Sequence, residues 1–266
     1  MNLFTVHGVP ATQIVGWGDN VFEIFLKSLE HESLTIEDND IVVITSKVIS
    51  METMARAKLD EIQPGEHAIE LAQSSDLDPR VTQLIIDESD GEIYGSVFHA
   101  VLSKTRFGLT ANAGIDLSNC PRGYALLLPR DPDNDARRIR NLIAKELKKK
   151  VAVLITDSRT IPLKRGTTGV ALGVAGMEPV IDERGKNDLY GYEMTITTRG
   201  IADNMATVAN IVMGETSEQT PFAVIKGAEY RATDDEVSMD STMMPEDQCL
   251  YFGPFIQLLH GEDKWL

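Results

Sequence analysis

Cysteine is nearly missing from this chain: Cys120 and Cys249 are the only two thiols in 266 residues. They form no metal-type spacing, so a cysteine-ligated zinc site is excluded and a reduced, cytoplasmic setting is expected. A single bridge between them has no support in the sequence. No apolar run approaches the ~18 residues of a membrane span. The first nine residues carry no basic segment followed by an apolar stretch, so no secretory signal is read. Basic residues are also short, with 25 Lys and Arg against 41 Asp and Glu, a formal charge of −16. That surface repels phosphate backbones, which argues against general nucleic-acid binding. A nucleotide can still bind where carboxylates hold divalent cations that meet its phosphates. Also absent are an internal repeat, a low-complexity linker, a Walker pattern and a legible Ser-His-Asp or Cys-His constellation. The histidines (His7, His31, His67, His99, His260) are scattered and unpaired.

What is present is an ordinary globular composition, 42% hydrophobic and 25% charged, long enough to bury a core without a staple. Strands and helices alternate. Leu3 to Val6 is a short apolar start, and Gly8-Val9-Pro10 is a turn signal. Helical spacing runs over Val21 to Leu29 and over 66–74. Ile41 to Ile44 and Val151 to Ile155 read as strands buried on both faces. Segments 93–105 and 108–112 read as strands joined at Phe107-Gly108, and Tyr124 to Leu128 as another. Asp131-Pro132 is a cap with proline at the first helical position. The helix it opens ends in Lys148-Lys149-Lys150, which complements the helix dipole. Ala202 to Met213 is a helix stopped by Gly214, and Ala223 to Ile225 a last strand. Residues 228–266 are polar, then apolar at Leu250 to Phe252 and Phe255 to Leu259. The expectation is a single α+β or α/β unit spanning 1–266.

Two places carry concentrated chemistry. In Ala111 to Asn119, small residues let the backbone turn after a strand; Asp116 can bind a cation and Asn119 a ligand. The same residues also suit an Asx turn. In Ile155 to Thr160, a strand ending in Asp157-Ser158 offers a carboxylate and a hydroxyl. Lys164-Arg165-Gly166-Thr167-Thr168-Gly169 follows with cations, hydroxyls and amides for an anion; plain capping by Asp157 is the alternative. Thr45-Ser46-Lys47 and Met213-Gly214-Glu215 are lesser candidates.

At these residues the chain resembles the coenzyme F-420-0:L-glutamate ligases, also called F-420 γ-glutamyl ligases. The matching stretches are Gly8 to Pro10, Asp40 to Ser50, Thr105 to Asn119, Gly123 to Asp133, Gly169 to Pro179, Asp188 to Gly191 and Val212 to Glu215. They stand in family order over roughly residues 1–227; the tail 228–266 is loosely similar. The resemblance implies an α+β mixed-sheet domain that intertwines into a homodimer. It implies transfer of L-glutamate to a deazaflavin acceptor through γ-amide bonds, with GTP (or ATP) as cosubstrate. Two sites for Mg²⁺ or Mn²⁺ follow, with K⁺ as a further cation. Asp116 and Asp157 would be catalytic metal ligands, joined by Ser158 and Glu215. Val9, Pro10, Ser46, Lys47, Asn119, Met213 and Gly214 would contact the nucleotide; Arg165, from the basic stretch after Asp157, is a further candidate for its phosphates.

The chain also departs from that pattern. Met51 stands where the family has a lysine near the nucleotide. Thr160-Ile161-Pro162-Leu163 replaces a Gly-Arg-Pro-aromatic stretch, and Gly169 stands in place of an aspartate. These changes lie on the substrate side, so a folate-type pterin is an alternative acceptor, and a non-catalytic nucleotide-binding homologue an alternative function.

Overall fold

The computed structural model describes residues 3–255; the part of the Phe255 to Leu259 apolar stretch beyond Phe255 lies outside them. In chain order the elements are β1 (Thr5–Val9), α1 (Val21–His31), β2 (Ile41–Thr45), α2 (Ser46–Thr53) and β3 (Arg56–Lys58). Then come α3 (Glu66–Ser75), α4 (Pro79–Glu88), β4 (Ile93–Val97), β5 (Ala100–Thr105), β6 (Gly108–Ala111) and β7 (Tyr124–Leu126). The second half holds α5 (Pro132–Glu146), β8 (Ala152–Thr160), β9 (Thr167–Ala175), β10 (Val180–Asp182), β11 (Thr198–Gly200), α6 (Ile201–Met213) and β12 (Phe222–Lys226). This is an α+β fold built on a mixed sheet.

The central sheet has five strands in the order β1-β12-β2-β8-β9. Only β2 and β8 run parallel, with Ile41 opposite Ala152 and Thr45 opposite Thr156. Because side chains alternate along a strand, each of these strands feeds two cores. Val42, Ile44, Val153 and Ile155 pack against α1, α2 and α5 on one face. Ile41, Val43, Ala152 and Leu154 pack against α6 on the other. That is why both strands read as unbroken apolar runs. The helix at Asp131-Pro132 forms as expected: the Asp131 carboxylate accepts from the Asn134 amide at 3.1 Å. Ile139 and Ile143 on its inner face are fully buried, each stabilising the fold by roughly 1.5–3 kcal/mol. At its far end Lys149 pairs with Glu37, a surface contact that no nucleic-acid reading requires.

Several expectations are corrected. Gly8 and Val9 do not turn; they continue β1, where Gly8 lies opposite Ala223 and Val9 opposite Phe222. Segment 93–105 is two strands, not one, folded back at Phe98-His99, where His99 takes a left-handed φ of 63°. α4 was not read from the sequence, although Asp78-Pro79 caps it as Asp131-Pro132 caps α5. Asp157 does not lie beyond the end of its strand: β8 runs on to Thr160, paired with β9, after a bulge between Ile155 and Thr156. Cys120 and Cys249 are both free thiols. No helix among the described residues is long and apolar enough to cross a membrane.

The glycines of β9 are contact points. A Cβ on Gly169 would lie 2.3 Å from the Ala206 carbonyl oxygen of α6, and one on Gly173 would lie 2.2 Å from the Pro132 oxygen of α5. The obstacle in both places is backbone, which cannot swing away. An aspartate at position 169 therefore has no room. Gly169→Ala is expected to cost about 1–3 kcal/mol, read as a lower urea midpoint with an unchanged slope.

Candidate functional site

A cavity of about 580 Å³ opens where the C-terminal end of β2 and the Thr156–Ser158 stretch within β8 meet the end of α6. Its wall includes Thr45 and Lys47, Asn119 and Cys120, Asp157 and Ser158, Met213 to Glu215, and the loop from Gln13 to Gly16. Parallel pairing of β2 with β8 sets Thr45 beside Thr156, so the end of β2 and the middle of β8 deliver their polar residues to one place.

Lys47 extends from the first turn of α2, and its Nζ lies 2.5 Å from Asp116 Oδ2 and 3.1 Å from Ser118 Oγ. The other Asp116 oxygen accepts from the Ser118 amide at 2.6 Å. Asp116 thus makes the Asx turn, while its other oxygen holds Lys47, a residue of the cavity wall. Its backbone is fixed by two hydrogen bonds with Leu126 of β7. The Asn119 amide nitrogen donates to the Thr216 carbonyl at 2.8 Å, tying this loop to the segment after α6.

On the β8 side, Ser158 Oγ donates to Glu215 Oε2 at 3.1 Å. The other Glu215 oxygen accepts from Thr167 Oγ1 at 3.1 Å and from Asn210 Nδ2 at 2.8 Å. Burial pushes the Asp157 carboxyl up from the usual range, and the nearby charge of Asp116 adds to that. The Ser158 amide, Arg159 and Lys47 pull the other way. Asp116 and Asp157, distant in sequence, thus lie close enough to feel each other's charge, although Asp116 is not itself in the cavity wall.

Gly214, with φ 75°, turns the chain sharply after α6, and a Cβ there would lie 2.4 Å from the Glu218 side chain. Of the remaining candidates, Met213 is buried at the wall, whereas Val9 is fully buried at the end of β1. Pro10 is exposed and leads to Ala11, which lines the cavity and exchanges hydrogen bonds with Gln219. Ser46 is buried behind the wall, between Thr45 and Lys47, which do line it. Arg165 is not brought to the cavity. It sits exposed in the β8–β9 turn beyond the Thr160–Thr167 pair, with Lys164. Met51 is buried and lines the cavity. Thr167, whose hydroxyl the Lys164–Gly169 stretch offered, reaches Glu215, whereas Asn210 and Cys120 have no place among the sequence candidates for the site. Asn210 had no signal beyond being polar in the last turn of an apolar helix.

Asp116, Asp157, Ser158 and Glu215 are all oxygen donors, the set that hard cations such as Mg²⁺ and Mn²⁺ take. Among the described residues no group of three or more His, Cys, Asp or Glu stands close enough to enclose a metal alone. The fit to a hard divalent cation therefore rests on the oxygen chemistry of these side chains alone.

Comparison with known proteins returns a family description and a set of relatives. The family described as F420-0:Gamma-glutamyl ligase matches residues 10–227. A protein of Methanothermobacter thermautotrophicus named coenzyme F420:L-glutamate ligase is 36% identical over 228 residues, 85% of this chain and 89% of that protein. Proteins of the same name are 41% identical over 194 residues in Methanocaldococcus jannaschii (73% of this chain, 77% of that one) and 33% identical over 249 residues in Archaeoglobus fulgidus (93% and 95%).

Proposed function

The chain belongs to the F420-0:Gamma-glutamyl ligase family, and from that premise we propose that it joins L-glutamate to the carboxylate of a small-molecule acceptor through an amide bond. The acceptor class is a deazaflavin or a folate-type pterin, and a nucleoside triphosphate, GTP or ATP, drives the reaction. The carrying observation is the cavity itself, where Lys47, Asn119, Asp157, Ser158 and Glu215 converge from separate parts of the chain.

A carboxylate is a poor acyl donor at neutral pH, so it must first be activated. In the first step an acceptor carboxylate oxygen attacks the γ-phosphorus, the bond to the nucleoside diphosphate breaks, and an acyl phosphate forms. In the second the glutamate amine attacks the acyl carbon, a C–N bond forms, inorganic phosphate leaves, and the amine loses a proton. The chemistry needs positioning and charge more than a nucleophilic side chain. Lys47 stands at the N-terminus of α2, whose Thr45 side chain makes no cap hydrogen bond; free amides and a cation there suit phosphate oxygens. Asn119 and the Met213–Gly214 turn frame the nucleotide. Divalent cations held by Asp116 and Asp157, with Ser158 and Glu215 beside them, would neutralise charge developing on the phosphoryl oxygens. The Gly-rich β9 supports this wall by letting α6 and α5 approach its backbone.

The homodimer is part of the same reading. The segment between β10 and β11 carries exposed Leu189, Tyr190, Tyr192 and Ile196, with Leu189 fully accessible, and apolar side chains clustered this way suit a contact with a second copy.

The test is a mass-shift assay with each nucleotide, Mg²⁺ or Mn²⁺, L-glutamate and a panel of deazaflavin and pterin acceptors. An acceptor gaining one glutamyl mass is the expected result; no gain with any acceptor ends the reading. Met51 favours a second reading, a nucleotide-binding homologue without turnover, because a thioether cannot meet a phosphate. Tight calorimetric binding of Mg²⁺-nucleotide with no product over the whole panel would distinguish it.

A further inference from the structure

A second cavity, of about 400 Å³, opens at the other end of α2. It shares no wall residue with the first: Lys47 and Met51 of α2 line one, while Thr53, its last residue, and Met54 line the other. The volume falls in the range of roughly 300–1,000 Å³ that small-molecule sites occupy. Backbone hydrogen bonds pin its floor. The Ala55 amide donates to the Ser50 carbonyl and the Leu127 amide to the Ala55 carbonyl, both at 2.9 Å, and Ser50 Oγ donates to the Leu127 carbonyl at 2.7 Å.

The wall of this cavity carries Arg56, Arg130 and Asp135, and none of the three is fully satisfied within the chain. Arg56 has no ion pair among the described residues. Its guanidinium lies beside the Trp17 and Tyr124 rings, 4.6 and 5.0 Å from their centres. Neither ring belongs to the cavity wall, and stacking of this kind steadies the guanidinium without using its N–H groups. Arg130 gives two N–H groups to Glu88, each at 2.9 Å, of the five that an arginine has. Asp135 is only 8% exposed, yet its side-chain partner is Arg138 at 3.5 Å, and Arg138 lies closer to Glu52. Asp135 Oδ2 accepts no hydrogen bond among the described residues. Burial pushes this carboxyl up, and Arg138 opposes that. A buried carboxylate without a close cation is costly, so the α5 side of the cavity calls for a positive group. Asp131, also in the wall, is already engaged by the Asn134 amide in capping α5.

We propose that this second cavity binds a free acidic α-amino acid of the L-glutamate class, with its ammonium on Asp135 and its two carboxylates on Arg56 and Arg130. The match is one of sign and number. Two arginines with unused N–H groups suit two carboxylates, and one buried carboxylate suits one ammonium. A neutral amino acid leaves one arginine unmet, and a dicarboxylate without the amine leaves Asp135 unmet. The site stands apart from the ligase reading, because the two cavities have no wall residue in common.

The experiment is calorimetry with L-glutamate alone, without nucleotide or metal, on wild type, Arg56→Met and Asp135→Asn. Wild type should bind L-glutamate. Glutarate, the same dicarboxylate without the ammonium, should bind at least about tenfold more weakly, the worth of a charged hydrogen bond. Each substitution should weaken L-glutamate by a similar factor. Without ligand both variants should melt with wild type, Arg56→Met because it keeps an apolar side chain beside the rings and Asp135→Asn because it removes a charge that burial disfavours. Should one variant melt early, the other variant and the glutarate comparison decide. No binding of L-glutamate to wild type overturns the proposal. So does glutarate binding as tightly as L-glutamate. Unchanged affinity in a variant that melts with wild type overturns it as well, since the amino acid then sits elsewhere.

Discussion

Asp157→Asn is expected to lower kcat by about a thousandfold or more while leaving the protein as stable as wild type or more so. The two effects have one cause. β8 carries Asp157 into a cavity wall where burial disfavours its charged form and Asp116 adds repulsion. A carboxyl whose folded pKa lies above its unfolded value destabilises the fold once pH exceeds the unfolded value, and the cost is complete above the folded one. Asparagine removes that cost and keeps the shape. Its neutral amide, however, loses the charge that would draw a cation to the triphosphate. Thermal melts should show the variant equal to wild type near pH 4 and ahead of it by pH 8. A kcat within tenfold of wild type would mean that Asp157 does not face the reacting phosphoryl group. A variant that unfolds early at pH 8 would mean that the carboxylate holds the strand together, which its raised pKa contradicts.

The same strand shows how much was legible beforehand. The β-branched runs Ile41–Ile44 and Val151–Ile155 announced buried strands because both of their faces are covered, and the structure covers them with α1, α2 and α5 on one side and α6 on the other. Where β8 would stop was not legible. The apolar pattern ends at Ile155, but pairing continues to Thr160 because β9 runs alongside it, and partner strands leave no mark in one strand's own sequence. The Phe98-His99 reversal was hidden for a related reason: alternation resumes on the far side of the turn with no glycine or proline to flag it. α4 was available, since Asp78-Pro79 repeats the signature read correctly at Asp131-Pro132. In the site, side chains at strand and helix ends were found because short polar residues after apolar runs are conspicuous. Asn210, which holds Glu215, was not, because its role depends on the turn that Gly214 makes. Arg165 was placed by proximity to Asp157 in sequence, yet a β-hairpin carries the residues at its tip away from those at its base.

Lys47→Met is expected to separate cation binding from turnover. In the free protein the Lys47 ammonium lies against Asp116, both side chains about a third exposed. Such a pair is worth roughly 0.2–1 kcal/mol, so a cation that takes Asp116 must displace it. Without the lysine, Mg²⁺ or Mn²⁺ alone should bind a few-fold more tightly, the factor that this energy allows. Turnover should move in the opposite direction, falling by about a hundredfold or more. The reason is that the ammonium, once released from Asp116, has the phosphates as its natural partner, and it stands at the start of α2, whose N-cap Thr45 makes no side-chain hydrogen bond and so leaves amides open to an anion. Lys47 is thus expected to yield Asp116 to a cation and to pair with the phosphates instead. Calorimetry with the metal alone, set beside kcat with saturating nucleotide, reads the two halves separately. Weaker metal binding in the variant would show that Lys47 orients Asp116 rather than competing for it. Unchanged turnover would remove it from the phosphate path.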